Sequence, residues 1–237
     1  MFKNLFKIIL ILILIIIFFI SYLSIYGIKT DKFNELIKSE VNKQDKKLDI
    51  DLKDVFIKLN IKERSFSLNS KDVKLYILKE HQEIANIEIL VSLESLIKRD
   101  NKIKKILINS KENEIRNLLK FIRAYKINIP ALYLENSIKK GNIIYDIIIK
   151  FSDNNLDQTE IVGKIIDAKL DILGKEKINN LNLNFNYKGQ SLEIINLNLK
   201  YKNIFFHSEK ISAKINNDLI NIKGAFKNKI KRRKSFI

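Results

Sequence analysis

At 237 residues the chain is long enough for a membrane anchor plus one sizeable domain or two small ones. Its 44 basic and 27 acidic side chains give a formal charge of +17, the balance of a protein that meets anionic surfaces or nucleic acid. Lys, Asn and Ile recur in every segment, so the charge reads as a solvated lysine-rich face and no nucleic-acid partner is expected; the absence of cysteine excludes disulfides, thiolate metal sites and cysteine nucleophiles.

The first element is an apolar run from Ile8 to Ile28 without a charge. As a helix it would extend roughly 31 Å, about one bilayer core. Ile8, Leu12, Ile16 and Phe19 mark its apolar length, and Tyr22 and Tyr26 stand where amphipathic rings suit an interface. The run exceeds an ordinary signal-peptide core, and no A-x-A-like site follows, so it reads as a retained anchor. Lys3 and Lys7 precede it, and Lys29, Lys32, Lys38, Lys43, Lys46 and Lys47 follow. That count points the domain to the cytoplasm, yet long translocated domains largely ignore the rule. Charge therefore leaves orientation open.

Thr30-Asp31 reads as a helix start, and Phe33, Leu36, Ile37 and Val41 form a helical stripe. From Leu48 the period becomes two. Leu48, Ile50 and Leu52 alternate in one phase and Val55, Ile57, Leu59 and Ile61 in the other, which predicts a bulge or bend between them. Short strands are expected at Phe66–Leu68, Val73–Ile77, Ile84–Val91 and Ile103–Ile108, with a helical turn at Leu93, Leu96 and Ile97. Lys111–Tyr125 breaks the pattern: Ile115, Leu118, Leu119 and Ile122 have helical spacing. Pro130 is read as the return to strands, and Ser137–Asn142 as a turn.

The C-terminal half alternates most cleanly. Ile143, Tyr145, Ile147, Ile149 and Phe151 share one face, and a loop is expected at Asp153–Asn155. A phase change falls near Ile165-Ile166. Leu181, Leu183, Phe185 and Tyr187 alternate with asparagines; Ile195, Leu197, Leu199 and Tyr201 form the next face. Ile211, Ala213 and Ile215, a turn at Asn216–Asp218, and then Ile220, Ile222 and Phe226 close the series. Strands joined by tight turns imply an antiparallel meander with one apolar and one wet face. Helix is too scarce to cover that apolar face, which must close, fold on itself or be covered by something else. Beside an anchor, acyl chains are one candidate.

Chemistry-bearing clusters are sparse. His81 and His207 are the two histidines, and no phosphate loop, nucleophile elbow or zinc-helix motif is present. Asp49, Asp51 and Asp54 have metal-like spacing but read as a solvated strand edge. Tyr201, Phe205, Phe206 and His207 among Lys200, Lys202 and Lys210 have the make-up of a single-strand binding surface, though core or groove lining is the simpler reading. Ser208 has no evident acid partner. No enzyme, metal or cofactor is expected.

The order of parts resembles the AsmA-like family, which includes TamB-type proteins. The resemblance is carried by LDIDLKDVFIKLN, KDVKLYI and IANIEILVSLESLIKRDNKIKKILI in the first half. KKGNIIYDIIIKF, IVGKIIDAKLDILGK and INNLNLNFNYKG carry it in the second. It covers nearly the whole chain to about Phe226. It implies a single-pass inner-membrane anchor, a periplasmic domain in a Gram-negative bacterium, and a trough-shaped β-groove that holds or conducts phospholipid. Family members are commonly much longer than this chain. About twelve strands at about 4.8 Å spacing would make a trough of roughly 55 Å.

The expected fold is thus mainly β, with an N-terminal transmembrane helix, two or three short helices and an antiparallel, curved trough-like sheet. The expected parts are a stub and anchor at 1–29 and an amphipathic helix at 30–44. An N-terminal β/α portion at 45–135, a C-terminal β portion at 136–226 and a basic tail at 227–237 follow. The candidate lipid-lining positions are Ile143, Tyr145, Ile147, Ile149, Leu181, Leu183, Phe185, Tyr187, Ile195, Leu197 and Leu199. Expected partners are the membrane, a phospholipid or other acyl lipid, and envelope proteins. The alternative is a structural module of envelope assembly or secretion with a closed β core.

Overall fold

The computed structural model describes residues 2–31, 34–94, 102–152, 155–172, 174, 176–202, 204–216 and 219–229. Phe33, Leu96 and Ile97, the loop at 153–154, the turn at 217–218 and positions 230–237 of the basic tail lie outside these residues.

The apolar run forms α1, Phe2–Ile25, whose side chains from Ile8 to Ile20 are exposed. It is long and apolar enough to cross a membrane. The helix ends sooner than the run. The Gly27 N–H donates to the Tyr22 carbonyl at 3.3 Å with Gly27 at φ +72°, a left-handed cap. A Cβ on Gly27 would stand 2.6 Å from Lys58 Cγ and 2.7 Å from the Ile57 carbonyl oxygen, so only glycine fits. Tyr26 therefore lies beyond the helix, and Ile28, expected within the anchor, pairs with Ile57 in a strand. Leu23 is buried where the helix end meets that strand.

Among the described residues, fourteen strands form one sheet with antiparallel pairing throughout. They are β1 (Ile28–Thr30), β2 (Leu48–Asp51), β3 (Val55–Asn60), β4 (Ser65–Ile77), β5 (Glu80–Ser92), β6 (Ile103–Ser110) and β7 (Asn113–Glu114). Then come β8 (Ile138–Ser152), β9 (Asn155–Ile172), β10 (Glu176–Lys188), β11 (Ser191–Tyr201), β12 (Ile204–Asn216), β13 (Leu219–Gly224) and β14 (Lys227–Lys229). The order β1-β3-β4-β5-β6-β8-β9-β10-β11-β12-β13 does not return on itself, so the sheet is open. The closed core of the alternative reading is not its arrangement. Because β6 pairs directly with β8, the sheet continues across the division expected at 135.

The phase switches seen in the sequence lie on one seam across the sheet. β2 and β3 pair with opposite ends of β4, separated by Leu52–Asp54 and facing Asp72, which takes φ +53°. Farther along, Gly141, Asp167, Asn180 and Asn196 each take positive φ inside β8, β9, β10 and β11. At the far edge β13 and β14 pair with opposite ends of β12, repeating the broken-strand arrangement. A bulge turns the following side chains over, and each coincides with a change of apolar phase, so the same face stays apolar on both sides. Phe66–Leu68 and Val73–Ile77, expected as two strands, are one strand bent at Asp72.

Among the described residues, three further helices sit on this sheet. α2 (Asn34–Gln44) begins later than Thr30-Asp31, because Thr30 belongs to β1; Asn34 ties it down by donating to the Leu52 and Lys53 carbonyls. α3 (Ile115–Tyr125) is the helix expected from its spacing. α4 (Ile129–Ser137) was not expected, and Pro130 lies in its first turn instead of starting a strand. Asn128 caps it, with Oδ1 accepting from the Ala131 N–H at 3.1 Å. The expected turn at Ser137–Asn142 is instead the helix end running straight into β8.

Candidate functional site

Opposed residues in an antiparallel pair share a face, so registers can be chained across the sheet. The chain Val55, Ser70, Ile87, Ile108, Ile147, Ile161, Tyr187, Leu192, Ala213 and Ile222 crosses ten strands without a charged residue. A parallel row runs Ile57, Leu68, Ile89, Ile106, Ile149 and Thr159. Together they make one apolar wall along the sheet.

The helices cover one side of that wall. Ile115 and Leu119 of α3 and Ala131 of α4 bury Ile138, Ile143, Tyr145 and Ala168. Ile37 and Val41 of α2 pack on Ile50, Val73 and Ile84. Burial of the Tyr145 phenol pushes its pKa up to about 12. Glu135 of α4 accepts from Arg123 Nε at 2.9 Å, tying the two helices together. Among the described residues, α2 rests on β2, α3 on β4, β5, β7 and β8, and α4 on β8 and β9. The second row lies beyond them, and Ile57, Leu68, Ile89, Ile106 and Ile149 stay half-buried.

The candidate lining residues divide accordingly. Ile143 and Tyr145 are in the helix-covered core, each 8% exposed. Ile147 lies on the long row at the margin of that core, and Ile149 on the second row. Leu181 and Phe185 pack at the core margin; Leu183 is in register with Ile165, and Tyr187 is on the long row. Leu197 is buried opposite Ser208, and Leu199 faces Phe206. Ile195 departs from the set: it opposes Asn184 and Lys210, while Ile194 opposes Phe185. The bulge at Asn196 puts Ile195 on the polar face, and the wall residues there are Leu192 and Ile194.

The polar face carries an asparagine ladder along the seam. The Asp167 N–H donates to Asn182 Oδ1 at 2.9 Å, and Asn182 Nδ2 donates to the Asn180 carbonyl at 3.1 Å. Asn198 Nδ2 donates to the Asn196 carbonyl at 3.0 Å, and His207 Nδ1 lies 2.9 Å from Asn198 Oδ1. In the sequence these asparagines read only as the wet face of their strands. The signal was the repeated triplet Asn180-Leu181-Asn182 and Asn196-Leu197-Asn198, in which the first residue takes the left-handed turn and the third closes it. Tyr201, Phe205, Phe206 and His207 do not form one surface. Tyr201 and Phe206 oppose wall residues, while Phe205 is in register with Lys200. Asp49 and Asp54 face Lys38 and Lys29, and no group of three potential metal ligands gathers among the described residues.

No family model, curated protein or solved structure matches the chain.

Proposed function

We propose that this is an AsmA-like, membrane-anchored protein of a Gram-negative inner membrane. Its periplasmic sheet curves into a groove that holds or conducts phospholipid, maintaining envelope and outer-membrane lipid. The observation that carries the reading is the uncharged row across ten strands, with α2, α3 and α4 resting, among the described residues, on only one side of it. A half-buried isoleucine wall in water is costly, and each methylene of an acyl chain laid on it gains about 0.8 kcal/mol. Eight methylenes would contribute roughly 6 kcal/mol without any reactive group. The phosphate headgroup would stay at the wet rim. The candidate anchor α1 would keep the wall close to its lipid source.

The scaffolding alternative has one observation in its favour. β13 is an open edge, with Ile220 and Ile222 exposed, and such edges invite strand pairing by an envelope protein.

The test is extraction of the full chain purified in detergent. The lipid reading expects phospholipid to stay bound through detergent exchange and a fluorescent acyl probe to displace it. Loss of all lipid together with no probe uptake contradicts it.

A further inference from the structure

The ends of β9, β10 and β11 frame a basic cleft of about 410 Å³. Lys169 lies between the wall residues Ala168 and Leu170, Lys177 precedes Ile178, and Lys200 lies between Leu199 and Tyr201. Strand alternation therefore sends all three side chains to the polar side. Lys202 completes a set of four lysines around the cleft, against one carboxylate, Glu176. That carboxylate is already engaged: it accepts from the Tyr201 hydroxyl and from Lys202 Nζ at 3.2 Å.

Along the seam elsewhere Lys111 pairs with Asp72, Lys140 with Asp167 and Lys227 with Glu209. Among the described residues, Lys169, Lys177 and Lys200 form no ion pair, and Lys200 rests over the Phe205 ring at 5.5 Å. The register also places Lys140 directly opposite Lys169. Like charges in directly opposed positions destabilise a sheet. Asp171 opposes Lys177 in register without an ion pair, and the cleft still gathers more cations than carboxylates, with the Asn179 amide in its lining, the make-up of an anion site.

We infer that the cleft bounded by Lys169, Lys177, Lys200 and Lys202 binds a phosphate group, carried either on a lipid headgroup or on a small soluble phosphate. The inference is independent of the lipid-groove reading, because it concerns the opposite face of the sheet.

The experiment uses the full chain in uncharged maltoside micelles at about 50 mM salt, where surface charge is only partly screened. One arm titrates inorganic pyrophosphate by calorimetry. The other measures capture of mixed micelles containing phosphatidylglycerol, against phosphatidylcholine. Three variants are compared with the natural chain. The first is K169Q/K177Q/K200Q. The second is K169R/K177R/K200R. The third, K62Q/K74Q/K223Q, removes the same charge from exposed positions elsewhere.

The expected result is binding in at least one arm, weakened on the order of tenfold or more by the cleft glutamines. The arginine variant and the distant glutamines retain it. Binding in the lipid arm alone identifies a headgroup; binding in the pyrophosphate arm identifies a soluble phosphate. Binding in neither arm, an unchanged cleft variant, or equal losses in both glutamine variants overturns the inference.

Discussion

Asp72, Asp167, Asn180 and Asn196 hold the left-handed conformation inside strands, where β-branched residues resist it. Short polar side chains tolerate that region, and two of these residues have the following asparagine folded back on their own carbonyl. N180V and N196V should each cost about 1–3 kcal/mol, whereas N196G should be near neutral, measured by urea unfolding of the solubilised chain. The same scale holds the pH response. Hydrogen bonding and attraction from Lys111 hold the Asp72 carboxyl below its ordinary 3.8, and hydrogen bonds from Tyr201 and Lys202 do the same for Glu176 below 4.5. Their contribution is present above those ordinary values and fades as pH falls through the lowered ones. Carboxyl resonances titrating below 3.8 and 4.5, and moving back upward in high salt, are the expected signature. Tyr145 acts at the other end: stability should begin to fall above about pH 10, where the unfolded phenol ionises, until about 12, and Y145F should remove that slope.

Among elements, α3 and α4 decide how much wall is left uncovered. Leu119 is buried beneath α3, so L119A should cost about 2–4 kcal/mol in the same unfolding measurement. N128A, which removes the α4 cap, should cost about 1 kcal/mol. Most strands were legible from alternation, because a half-buried face enforces period two. The helix at Ile115–Tyr125 was legible from its apolar stripe. The helix at Ile129–Ser137 was not, since its apolar residues lie on several sides and Pro130 looks like a breaker unless Asn128 is read as a cap. Bulges explain the other failures. The phase change at Ile165-Ile166 was visible because isoleucines flank it, yet Ile195 was assigned to the wall because Ile194 beside it is equally apolar and only Asn196 marks the turnover.

For the whole molecule, a single long helix leads directly into an open sheet whose uncharged row extends from beside that helix to the far edge at Ile222. The phase switches at separate points of the sequence make sense only here, as one seam that keeps the apolar side continuous. The central claim is that acyl chains lie on that side beyond the helices. The most direct measurement places a photo-crosslinking benzoyl-phenylalanine, one position at a time, at Ile106, Leu107, Ile148 and Ile149 in cells with radiolabelled lipid. Ile106 and Ile149 oppose each other on the wall, while Leu107 and Ile148 oppose each other on the other face. The account predicts lipid adducts at 106 and 149 and few at 107 and 148. Equal labelling at all four positions, or none at 106 and 149, would contradict it.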